Sequence, residues 1–212
     1  MGRVAKKRAK TKTSYHHGDL RAALLAAGEA VLRRDGVAGL GMRTVTREAG
    51  VSHTAAKPHF GSLEGLRGEL AALGYHRLAE ALEATHGIRP ARARRVASAR
   101  AYVHFAHDNH ALFDLMFRYG MLDMAQPALV EATARAVRAL AGPHGDAKAS
   151  DAGSLGREEA LRMSAGWAFV HGLAVLLIEQ RLRGVQKRAP AFGSLLELAD
   201  AVVESVSLRV EP

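Results

Sequence analysis

The 212-residue sequence has no cysteine, one tryptophan, six phenylalanines and four tyrosines. Without thiols there can be no disulfide scaffold, cysteine-ligated zinc or thiol nucleophile, and the chain suits a reducing compartment. Long apolar runs are also missing. Ala165 to Ile178 is apolar apart from His171 but is bounded by Arg162 and Glu179, and it falls short of the roughly 20 residues a bilayer crossing needs. No apolar stretch follows the basic first twelve residues, so no secretory signal is expected. The chain is expected to be soluble and cytoplasmic, with no membrane partner. Nor does the sequence carry a glycine-rich phosphate loop or a recognisable Ser/His/Asp spacing, so no enzyme is expected.

Acidic residues are scarce in one place only. Residues 1–60 hold 12 Lys and Arg against 4 Asp and Glu, which is nearly all of the +9 net charge. So polarised a block points to an anionic partner for the N-terminal quarter and another task for the rest. Residues 1–13, with Lys10 and Lys12 among their cations, read as a disordered basic arm.

Beyond the arm, the apolar residues follow a helical period. Asp19 is placed to cap a first helix carrying Leu20, Leu24, Ala27 and Val31, closed by Gly36. Short helices are expected over Met42–Ala49 and from a Ser52 cap to Phe60, and a longer one from Ser62 to Thr85. Further helices are expected over 91–108, 111–119, 127–141, 157–182 and 192–206, with a loop at 142–156. No alternating β pattern appears. The expected fold is all-α with about nine helices.

Met42 to Phe60 reads as a helix–turn–helix. Val45 and Ala49 point inward, Gly50 permits the turn, and Val51 plugs the angle. Ser52, His53, Thr54 and Lys57 then face outward, where a helix in a DNA major groove meets base edges and phosphates.

These residues carry a resemblance. Tyr15-His16-His17-Gly18-Asp19-Leu20, then Thr44 through His53, then His59-Phe60, resemble the N-terminal domain of TetR/AcrR-family transcriptional regulators. Trp167-Ala168-Phe169-Val170-His171-Gly172 resembles the Trp-x-x-x-His-Gly signature of one C-terminal domain type in that family. Ala111 to Phe117 is similar to that domain's aromatic helix. The likeness spans residues 14–182. It implies a helix–turn–helix domain over 14–61 and a helical effector-binding and dimerisation domain over 62–212. It also implies DNA contacts at Tyr15, His16, Arg43, Thr44 and His59, and a ligand-responsive regulator, a repressor released from its operator by a small molecule. A DNA-binding architectural protein without effector and a helical small-molecule enzyme are the alternatives. The sequence departs from the family at Lys57-Pro58, where Pro58 withholds an N–H and shortens or kinks the recognition helix. Gly41 stands where a Ser or Thr cap is common.

The remaining candidates are histidines and aromatics. His104, His107 and His110 are spaced near one helical turn, but rotation carries them apart, so no metal is expected there or at His16-His17, and no cofactor at all. Phe105, Phe113 and Phe117 lie in an aromatic-rich segment with Met121 nearby, and with Trp167 and His171 they are candidates for an adaptable ligand cavity. The same residues can equally pack a core, and His171 has both readings. The apolar 165–178 stretch and the stripe Leu195, Ala199, Val202 and Val206 exceed what one chain can cover, which points to a homodimer through two helices of each subunit.

Overall fold

A computed structural model describes residues 17–142 and 156–209, and among these every regular element is helical. The arm residues Lys10 and Lys12, together with Tyr15 and His16, lie outside the described residues. Among the described residues there are ten α-helices and two 3-10 turns, one more helix than the periodicity suggests. They are α1 (His17–Gly39), α2 (Met42–Glu48), α3 (Lys57–Phe60), α4 (Leu63–Glu83), α5 (Ala91–Asp108), α6 (His110–Met116), α7 (Pro127–Ala141), α8 (Arg157–Ile178), α9 (Arg183–Gln186) and α10 (Leu195–Arg209). The 3-10 turns are His53–Ala56 and Tyr119–Met121.

Most ends follow from local chemistry. Gly36, at φ 67°, breaks α1 where a residue with a side chain would be strained. Ser62 caps α4 by accepting from the Gly65 N–H at 3.1 Å. Three differences from the sequence reading have physical causes. α1 begins at His17, so Asp19 sits in its first turn and is not its cap. α8 stops at Ile178, short of residue 182, because Gln180 adopts φ 58°. Its end is closed by Arg181 N–H on Leu176 O at 2.9 Å and Gln180 N–H on Leu177 O at 3.0 Å, a Schellman pair built without glycine. Finally, the segment after Ser52 is a 3-10 turn followed by one turn of α-helix, and Ser52 does not cap it.

One core runs through both halves of the chain. Leu24, Val31, Val45 and Phe60 are continuous with Leu66, Leu70 and Leu78 of α4, and these with Leu115, Leu129 and Val170. α4 is its spine, packing against α1, α5, α6 and α7. A second cluster, Val103, Leu173, Leu177, Ala199 and Val203, joins α5, α8 and α10. Much of the α10 stripe is therefore covered within the chain. α8 is not. Taken over its whole length, and unlike the shorter apolar stretch read from the sequence, it is long and apolar enough to cross a membrane by length and composition, yet only 22% of its most apolar 18-residue window is buried.

Candidate nucleic-acid interface and ligand cavity

α2 is pinned by what it buries. Val45 and Thr46 are inaccessible, and Thr46 Oγ1 donates to the Met42 carbonyl at 2.9 Å, so the opposite side of the helix faces solvent. Gly50, at φ 69°, turns the chain, closed by Val51 N–H on Thr46 O at 2.9 Å. Arg34 braces α1 against α2 with a 2.8 Å ion pair to Glu48. Arg43, Arg47 and His53 then line one shallow depression between α2 and the recognition turn. Arg47 was not among the sequence candidates. Its signal was available: it lies four positions after Arg43, and so on the same exposed side of α2.

Ser52, His53, Thr54 and Lys57 are all exposed, and Thr44 and His59 are half-buried. Ser52 Oγ and Thr54 Oγ1 are 3.2 Å apart, so the Ser52 hydroxyl pairs with a side chain where a backbone cap was expected. Pro58 explains the broken helix. It cannot donate to the Thr54 carbonyl, so residues 53–56 tighten into the 3-10 form and Lys57–Phe60 restart as a single α turn. Phe60 and Ala56 are buried and anchor this unit on the core.

The second site is a cavity of about 300 Å³ among α4, α5, α7 and α8. α4 contributes Tyr75, Leu78 and Leu82, α5 contributes Tyr102, α7 contributes Ala136 and Val137, and α8 contributes Met163 and Trp167. Phe117 and Tyr119 complete the wall. Of the sequence candidates, Phe117 and Trp167 line it. Phe105, Phe113, Met121 and His171 do not. Phe113 is buried behind the wall, edge-on to Tyr102 at 5.9 Å, and Phe105 packs on Phe113 at 6.4 Å. Met121 ends the second 3-10 turn and is exposed. His171 backs Phe117, with ring centres 4.4 Å apart. The α4 and α7 contributors went unnoticed because an apolar stripe looks the same in sequence whether it meets a neighbour or a void.

A hydrogen-bonded chain stiffens this wall. The Trp167 indole N–H donates to Tyr102 Oη at 3.4 Å, and Tyr102 Oη lies 3.0 Å from His171 Nδ1. Burial pushes the Tyr102 and Tyr75 hydroxyls well above the usual tyrosine range and holds His171 below its ordinary value. The Tyr75 hydroxyl donates to the Met116 carbonyl at 3.0 Å.

Among the described residues no three His, Cys, Asp or Glu side chains converge as a metal site. His104 faces Asp200 at 3.0 Å, and His107 pairs with its neighbour Asp108 at 2.9 Å.

A helix–turn–helix with an exposed basic face, set on a helical body, is the architecture of a DNA-binding transcriptional regulator. Residues 96–199 match the family model for the tetracyclin-repressor-like C-terminal domain. The chain is 35% identical to a protein of unknown function from Rhodococcus sp. RHA1, covering 92% of this chain and 97% of that one, with a TM-score of 0.68. It also shares its fold with the TetR-family transcriptional regulator PfmR from Thermus thermophilus, at 16% identity, coverages of 89% and 99%, and a TM-score of 0.54. No curated protein matches it. The chain belongs to the TetR family.

Proposed function

We propose that this protein is a cytoplasmic, homodimeric repressor that a small molecule releases from its operator, and that it has no catalytic role. Residues 1–13 act as a basic arm on the phosphate backbone, residues 14–61 read double-stranded operator DNA, and residues 62–212 bind the effector and dimerise. Lys57 and the cations of the arm hold phosphates, while Ser52, His53 and Thr54 meet bases. Arg43 and Arg47 flank them. The Trp167–Gly172 motif serves the effector domain, Trp167 in the cavity wall and His171 behind it.

The observation that carries this reading is the reach of α4. Tyr75, Leu78 and Leu82 stand in the cavity wall. At the other end of the same helix, Gly65 abuts Phe60 so closely that a Cβ would collide with the Phe60 carbonyl oxygen. A molecule that wedges α4 therefore moves the recognition turn. It releases DNA only if it binds the released geometry better, and a near-complete switch needs about 5 kcal/mol of differential affinity.

The test is selection of bound duplexes from a randomised pool, followed by fluorescence anisotropy across a salt series. The expected result is one enriched, two-fold symmetric sequence whose affinity falls steeply with salt. Deleting residues 1–12 then makes the log–log slope shallower by about 0.9 per lost phosphate contact. If no sequence is enriched and no duplex is retained at low salt, the reading fails.

A further inference from the structure

The cavity is walled by rings: Tyr75, Tyr102, Phe117, Tyr119 and Trp167 all line it. Among the described residues that line it there is no Asp, Glu, Lys, Arg or His. Two of its inner hydroxyls have committed their hydrogens elsewhere. Tyr75 donates to the Met116 carbonyl, and Thr133 donates to the Leu129 carbonyl within its own helix. Tyr102 Oη receives the Trp167 N–H and shares a second bond with His171 Nδ1, in which either group can donate. The Tyr75 and Thr133 oxygens each keep a lone pair and have no free hydrogen. Of the other two hydroxyls, that of Ser164 belongs to an exposed residue, and that of Tyr119 stands at the mouth beside Tyr75. The inner wall is aromatic and uncharged, and it offers two hydroxyl oxygens, of Tyr75 and Thr133, that can only accept.

We infer that this site takes an uncharged ring compound bearing a hydroxyl or N–H donor, of roughly ten to fifteen non-hydrogen atoms, an inference that rests on the cavity being the effector site of the regulator. The size follows from the cavity volume of about 300 Å³. Flat rings gain from offset and edge-to-face contact with a wall of this kind. A carboxylate or phosphate would meet these lone pairs with no cation in the wall to pair with it, so acyl carboxylates and phosphorylated coenzymes fit it poorly. A lipophilic cation is drawn to the ring faces, but that attraction is weaker than the cost of stripping water from a charge with no counter-ion. Burial keeps the His171 imidazole neutral behind the wall, so it supplies no charge either.

The experiment is calorimetric titration of the full chain at pH 7 with four matched probes. These are 2-naphthol, 2-methoxynaphthalene, 2-naphthoate and 2-naphthyltrimethylammonium. The expected result is saturable 2-naphthol binding, with each of the other three at least tenfold weaker. Val137 lines the cavity and is 51% exposed, so Val137→Trp can fill the mouth without crowding the core. This variant should lose 2-naphthol binding at an unchanged melting temperature. Equal or tighter binding of the naphthoate or the ammonium overturns the ligand class. So does the absence of binding by any probe at millimolar concentration, and so does wild-type naphthol affinity in Val137→Trp. Operator anisotropy run alongside separates the two readings. If 2-naphthol binds selectively but leaves DNA affinity unchanged, the ligand class stands and the effector role falls.

Discussion

Tyr102 Oη and His171 Nδ1 stand 3.0 Å apart, tying α5 to α8 directly behind the cavity wall. Either group can donate in this bond, and burial holds the imidazole below its ordinary 6.5. Between that lowered value and 6.5 the unfolded chain binds more protons than the folded one, so stability rises with pH across this window. The contribution is complete above about pH 6.5 and is lost as pH falls through it. In an NMR titration the His171 ring should therefore show a midpoint below 6.5. The melting temperature should drop more between pH 7.5 and 5.5 in the wild type than in His171→Gln. A midpoint at or above 6.5 rejects this account.

Glu29 and Arg77 join α1 to α4 through two parallel bonds, of 2.7 and 3.0 Å, and Arg33 adds a third to Glu29 at 3.1 Å. Bidentate geometry is the strong form of this interaction, and only 14% of the Glu29 side chain is exposed. Glu29→Ala should cost about 1–2 kcal/mol in urea denaturation, after discounting for solvent around Arg77. Arg77→Lys should restore little, since an ammonium cannot reproduce the paired bonds. The Arg77 guanidinium holds the Glu29 carboxyl below its ordinary 4.5. Its contribution is therefore present above about pH 4.5 and disappears as pH falls through the lowered value. An unchanged urea midpoint in Glu29→Ala would show the clamp to be ornamental.

Local chemistry made some elements plain in the sequence and left others hidden. Pro90 and Pro127 mark the starts of α5 and α7, because proline suits a helix start and nothing further in. The end of α8 was hidden, since Gln180 takes a left-handed conformation with no glycine to announce it. Pro58 announced a disturbance at the end of the recognition helix, but the disturbance reaches upstream, because a missing N–H at 58 frees the carbonyl at 54. In the cavity, Phe117 and Trp167 stood out by type. Tyr75, Leu78 and Leu82 did not, because they share α4 with residues of identical character that are wholly packed. Pairing of positions far apart in sequence decides which apolar face meets a void, and periodicity carries no such information.

Pro58→Ala should return a hydrogen bond from residue 58 to the Thr54 carbonyl and let residues 53–60 run as one α-helix. The 3-10 and α forms differ by roughly 20° of rotation per residue. His53 and Thr54 would therefore turn relative to Lys57, whose phosphate contact fixes the register. Operator selection with Pro58→Ala should yield a changed base preference with a similar salt slope, since no charge is altered. Thr54→Ala should also change base preference, whereas Lys57→Ala should weaken all sequences about equally. An identical preferred sequence for wild type and Pro58→Ala would mean that the 3-10 turn does not set base reading.

Leu161, Ala165, Ala168, Gly172 and Leu176 fall on one side of α8 by helical rotation, with large residues at the ends and small ones between. Leu161 is 60% exposed and Leu176 is 42% exposed, and a Cβ at Gly172 would meet nothing within 4 Å. Small residues at the centre let a second helix approach closely, while the flanking leucines supply apolar area. A second copy of the chain, related by a two-fold axis, would cover this face with the same face of its own α8. Leu176→Glu places a charge where the single chain already exposes the side chain, so it should spare the fold of the subunit. It should convert a micromolar dimer into a species sedimenting near 22.7 kDa. Loss of the second half-site contact should then weaken operator binding by about 10²- to 10⁴-fold, because two linked sites bind far more tightly than one. A wild type that sediments as a monomer, or a Leu176→Glu dimer with full operator affinity, would place the subunit contact elsewhere.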